Sequence, residues 1–83
     1  MRDNPSYQDV WTLLKTTDRA VVRVSKDYAQ TLLNNVKCAK WEDNNARRAV
    51  GLDTFPKYKT TRSDDDGVYV TITFEFPYSL KFL

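Results

Sequence analysis

At 83 residues the chain is long enough for one compact domain with a single core and too short for two. Its 41% hydrophobic, 13% aromatic and 29% charged residues exclude the disordered and fibrous classes. With 13 basic against 11 acidic side chains the net charge is only +2, so the total does not by itself require a polyanionic partner.

The first expected element is a short helix from Pro5 to about Thr16, with Asn4 as N-cap and Pro5 at the first helical position, where its missing N–H costs nothing. Tyr7, Val10, Trp11 and Leu14 fall at helical spacing, and a helix this short must dock that face on the rest of the chain. Asp18-Arg19 reads as a turn. Ala20 to Val24 is a β-branched run that predicts a strand with Ala20, Val22 and Val24 on one face. Ser25 then ends the strand and caps the main helix, whose stripe is Tyr28, Leu32, Val36 and Ala39, widened by Ala29 and Leu33.

Two endings fit that helix. Continued unbroken, it keeps Ala46 and Val50 in the stripe, but Asp43 intrudes on the apolar side and Trp41 points away. Broken at Glu42-Asp43-Asn44-Asn45, a cluster of capping residues, it lets Trp41 turn inward and a second short helix run to a Gly51 stop. Leu52 to Pro56 is a connection. Lys57 to Arg62 and Val68 to Phe76 then predict a hairpin, because Val68, Val70, Ile72, Phe74 and Phe76 alternate strictly with polar positions. Ser63 to Gly67 is its loop. With Arg62 opposite Val68, Tyr58 faces Ile72, and Lys57, Lys59 and Thr61 lie on the outer face with Thr73, Thr71 and Tyr69. The tail from Tyr78 to Leu83 alternates too and needs a partner surface.

This order, α-β-α-β-β, predicts an α+β two-layer sandwich: a three-stranded, mainly antiparallel sheet with helices on one face, in a single domain spanning 1–83. The expected core is Trp11, Leu14, Val22, Val24, Tyr28, Leu32, Val36, Val70, Ile72, Phe74 and Phe76.

Chemically, the absence of histidine removes the commonest general base, the partner of serine and cysteine nucleophiles, and the commonest metal ligand. The single cysteine, Cys38, lies on the flank of the helical stripe and reads as a small buried or half-buried thiol. Asp64-Asp65-Asp66-Gly67 resembles part of a calcium loop, but the EF-hand frame puts Arg62 at position 1 and Thr73 at position 12, where acids are required. A structural turn is the better reading. Only two glycines are present, too few for a phosphate-cradling loop. No catalytic residues, cofactor or small-molecule substrate are therefore expected.

The positive signal lies in charge distribution. Seven basic residues stand between Lys37 and Arg62 against three acids. On an unbroken helix Lys26, Gln30, Asn34, Lys37, Trp41 and Arg48 fall between about 160° and 240° from Tyr28, a basic, amide-rich stripe containing an indole. A second surface is the outer hairpin face with Lys57, Lys59 and Tyr69. Lys26, Lys37, Trp41, Arg48, Lys57, Lys59 and Tyr69 are the candidate contacts for nucleic acid. The leading expectation is a small non-catalytic binding or regulatory protein acting through a macromolecular surface, with another protein or a second copy as partner. Its size and composition resemble those of small phage and mobile-element proteins. Sequence-tolerant nucleic-acid binding is the alternative. The N-terminal residues lack the pattern of a secretory signal, and no apolar run approaches the roughly 20 residues of a membrane span, so the cytoplasm is the expected compartment.

Overall fold

The computed structural model describes residues 5–77. Helix α1 (Tyr7–Thr17) leads into strand β1 (Arg19–Ser25), helix α2 (Lys26–Ala49), and strands β2 (Lys59–Asp64) and β3 (Tyr69–Glu75). The sheet order is β1-β3-β2, with β3 antiparallel to both neighbours. This is the expected small α+β fold. The helices cover the face that carries Ala20, Val24, Val70, Ile72 and Phe74, all buried. The tail from Tyr78 to Leu83 lies outside the described residues.

The cap of α1 differs from expectation. Ser6, not Asn4, is the N-cap, its Oγ accepting the Asp9 N–H at 3.2 Å, so the helix starts two residues after Pro5. The helix stops at Asp18, which adopts φ 68° while its N–H donates to the Leu14 carbonyl. Aspartate tolerates this left-handed conformation better than most residues. The chain can then turn straight into β1, and the Asp18 carbonyl accepts the Phe76 N–H at 3.0 Å. Ser25 occupies the N-cap position of α2 but its side chain makes no capping bond; the Lys26 N–H donates instead to the Val68 carbonyl at 2.9 Å.

Helix α2 is unbroken for 24 residues. Its apolar side buries Ala29, Leu32, Val36 and Ala39. Asp43, the residue that intrudes on that side, accepts hydrogen bonds from the Trp11 indole N–H and from Lys15 Nζ at 3.2 Å. A carboxylate is tolerated on the docking side of the helix because α1 brings it two donors. The helix ends with Gly51 at φ 79°, where the Leu52 N–H reaches back to the Arg47 carbonyl. That is the glycine stop expected of a Schellman-type ending.

The connection after α2 contributes more than sequence periodicity suggests. Phe55 is buried and meets Trp11 edge to face at 5.1 Å and Phe76 in a stacked pair at 6.1 Å. Asn44 holds it there: its Oδ1 accepts the Phe55 N–H at 2.7 Å and its Nδ2 donates to the Phe55 carbonyl at 3.2 Å. The expected core is otherwise present, with Val22 and Tyr28 partly buried and Val10, Ala20, Ala29, Ala39 and Phe55 added.

The hairpin forms four residues out of the expected register: Arg62 stands opposite Ile72 and Thr60 opposite Phe74. The reason is the turn. Asp66 Oδ1 accepts both the Val68 and the Tyr69 N–H at 3.0 Å, and the Asp65 N–H donates to the Tyr69 carbonyl, so Ser63 and Asp64 join the strand. Within β2 an even shift leaves each side chain on its expected face, while Lys57 falls before the ladder and is released from it. Tyr58 therefore precedes β2, packing edge to face on Phe74 at 5.7 Å and Phe76 at 6.2 Å.

Candidate functional site

Side by side, α2 and the approach to β2 enclose a groove of about 590 Å³. Its helical wall is Gln30, Leu33, Asn34, Lys37 and Lys40; its other wall is Lys57, Tyr58 and Thr60. The helical residues recur at three- and four-residue spacing, which stacks them on one side of α2. The opposite wall is fixed by Tyr58, whose ring is held by Phe74 and Phe76. Gln30 Nε2 donates to Asn34 Oδ1 at 3.0 Å, a turn-to-turn bond that orders the amide rim.

Three ammonium groups therefore converge. Among the described residues that line the groove, none carries a carboxylate. Lys40 is the most confined: its amine lies 5.4 Å from the centroid of the Tyr58 ring. Burial first, then the neighbouring charges of Lys57 and Lys37, hold its pKa below the ordinary lysine value. Burial first, with a contribution from Cys38, raises the Tyr58 phenol above its ordinary value, and like any phenol it is a neutral donor near pH 7. Like charges gathered without a counter-charge repel, and an anion placed between them relieves that repulsion.

The seven expected contacts are only partly assembled. Lys37 and Lys57 meet in the groove, so Lys57 faces α2 instead of joining the outer hairpin face. Trp41 lies one helical turn beyond Lys37 and is 66% exposed. Lys26 begins α2, about 22 Å along the helix axis from Trp41. Arg48 sits near the far end with its Nη1 donating to Asn45 Oδ1 at 3.0 Å, about 16 Å from Lys37. Lys59 stands opposite Glu75 across the ladder.

Tyr69 is partnered on the outer face. The Arg23 guanidinium lies 4.3 Å from its ring centroid, and that arginine is paired with Asp65 at 3.0 Å and Asp66 at 3.5 Å. The outer sheet face therefore offers neither an uncovered ring nor an uncompensated charge at this point. Cys38 is exposed, not buried or half-buried as its wheel position suggested. Sequence reasoning passed over Lys40 and Tyr58. Lys40 flanks the apolar stripe, where a lysine stem lies along the core while its amine reaches out, and that position is the signal for it.

The acidic loop is occupied by its own fold. Asp65 accepts from Thr71 Oγ1 at 2.9 Å and from Arg23, while Asp66 caps the turn. Among the described residues no group of three or more cysteine and carboxylate side chains is placed to hold a metal ion, and no helix is long and apolar enough to cross a membrane. In comparisons with known proteins, no family model, curated protein or solved structure matches the chain.

Proposed function

We propose that this chain is a small non-catalytic binding protein whose working surface is the groove between α2 and β2 with the adjoining polar side of α2, and that its partner is nucleic acid held without regard to sequence. The observation that carries this reading is the convergence of Lys37, Lys40 and Lys57 on a groove lined by no described carboxylate. Ammonium groups are point-charge phosphate binders, and the Gln30, Asn34, Tyr58 and Thr60 side chains supply neutral hydrogen-bonding groups beside them. Contacts of this kind fix a nucleic-acid backbone in place and carry no base information.

Salt titration tests the proposal. Wild-type protein should bind DNA and RNA with an affinity that falls as salt rises. A Lys37→Ala, Lys57→Ala double variant should flatten the plot of log K against log[salt] by about 1.4–1.8, at roughly 0.7–0.9 per phosphate contact. No binding by the wild type to any nucleic acid at low salt would remove the reading. A protein partner or a second copy is the other reading, favoured by the edge of β2, which no described strand pairs and every residue of which is exposed. Retention of a partner from lysate after nuclease digestion, or a mass in light scattering that grows with concentration, would put it first.

A further inference from the structure

Trp41 is left over by the fold. It is 66% exposed, whereas Trp11, the other tryptophan, is 4% exposed and hydrogen-bonded to Asp43. A tryptophan standing in water in the middle of a helix does nothing for the core, and large aromatic side chains are rarely left so bare. Its neighbours define what could cover it. Four residues back along α2 is Lys37, a groove lysine, and residues so spaced have their Cβ atoms about 5–6 Å apart. An indole and an ammonium group are thus presented side by side, one on the helix surface and the other at the mouth of a basic groove.

We infer that Trp41 is a stacking platform for an unpaired base, and that the ligand of the groove is single-stranded nucleic acid, its phosphates on Lys37, Lys40 and Lys57 and a neighbouring base on the indole. This rests on the nucleic-acid reading above and narrows it. A base inside a duplex has both faces already stacked on its neighbours, so an exposed ring can receive only one that is unpaired or splayed out. Stacking on an aromatic side chain is tolerant of sequence because every base presents a flat π face. An acidic peptide would satisfy the lysines, but a flat ring is not part of its repeating unit. Single-stranded nucleic acid supplies both chemistries in one repeating unit, charge complementarity for the groove and a planar face for Trp41.

The experiment compares wild type with Trp41→Ala and Trp41→Phe against three probes: an oligothymidine of about 16 nucleotides, the same strand in a duplex, and inorganic polyphosphate. Because Trp41 is exposed, both variants should remain folded, which circular dichroism verifies. Oligothymidine should quench the long-wavelength tryptophan emission of the wild type. Trp41→Ala should weaken oligothymidine binding about five- to hundredfold with little change in salt slope, because stacking releases few counterions. Trp41→Phe should recover most of the affinity. Duplex and polyphosphate binding should move little in either variant. Equal oligothymidine affinity in wild type and Trp41→Ala, or an equal loss on all three probes, would overturn the stacking assignment while leaving the groove as an anion site. Failure of the wild type to bind any nucleic acid would overturn the wider proposal as well, and that result is read before any variant is made.

Discussion

Asn44 makes two hydrogen bonds to one residue, accepting the Phe55 N–H and donating to the Phe55 carbonyl. Phe55 is buried in the aromatic group with Trp11 and Phe76, so its backbone amide has little access to water. Asn44→Ala should therefore cost about 1–3 kcal/mol, the range for removing one partner of a hydrogen bond to a desolvated group. A lowered midpoint in urea denaturation with an unchanged slope would show it; a midpoint like the wild type's would mean that water replaces the clip. Asp66 gives a second prediction. The N–H groups of Tyr69 and Val68 first, and then the Arg23 guanidinium, hold its carboxyl below the usual value. A depressed folded pKa contributes stability that is present above the unfolded value of 3.8 and lost as the pH falls through the lower folded one. Asp66→Ala should accordingly be less stable than wild type at neutral pH and show a smaller fall in stability on acidification below 3.8. A parallel pH profile in thermal melts would count against it. Asn44 and Asp43 were visible in the sequence only as capping types. Their real partners, Phe55 and Trp11, lie 11 and 32 positions away, and nothing in local spacing encodes such pairs.

Helix α2 and the hairpin show how far periodicity reaches at the level of elements. The apolar stripe was legible because burial repeats with the helical period, and β3 was legible because its alternation is strict. The unbroken course of α2 was not, since a lone carboxylate in the stripe looks like a break until α1 supplies its donors. The register of β2 was not legible either: KTTRSD carries no apolar residue, so no alternation distinguishes one alignment from another. The turn chemistry of Asp65 and Asp66 decides it. Cross-linking tests this directly in a Cys38→Ser background. Cysteines at Thr61 and Thr73, which are opposed in the ladder, should oxidise readily to a disulfide, since opposed Cβ atoms lie about 4.5–5.5 Å apart. Cysteines at Thr61 and Tyr69 should not. The reverse outcome would restore the register in which the loop begins at Ser63.

For the molecule as a whole, the small net charge of +2 conceals a segregated surface. Arg19, Arg23 and Arg62 are each within ion-pair distance of a carboxylate, and Arg47 covers Phe55 with its guanidinium 4.8 Å from the ring centroid. Lys37, Lys40 and Lys57 instead share a groove with one another. Binding should therefore follow the groove and not the total charge. A Lys26→Ala, Arg48→Ala double variant, which removes the same charge as the Lys37, Lys57 pair, should lower nucleic-acid affinity far less in parallel titrations. Equal losses would mean that a diffuse basic field suffices. The lysines were recognisable in the sequence as a basic segment, but the grouping of Lys57 with α2 depends on a chain path set by Asn44, Phe55 and Tyr58.

The sheet order adds a mechanical consequence. Strand β3 lies between two neighbours, whereas among the described residues β2 is held by a single ladder, and it buries none of its residues. The wall of the groove opposite α2 is accordingly uneven: it is anchored where Tyr58 packs on Phe74 and Phe76, and yields at Thr60, which belongs to a strand that can fray while Val70, Ile72 and Phe74 stay packed beneath the helices. A ligand of the proposed kind would therefore meet one firm end and one yielding end, and fraying of β2 would adjust the fit with no need for the domain to come apart.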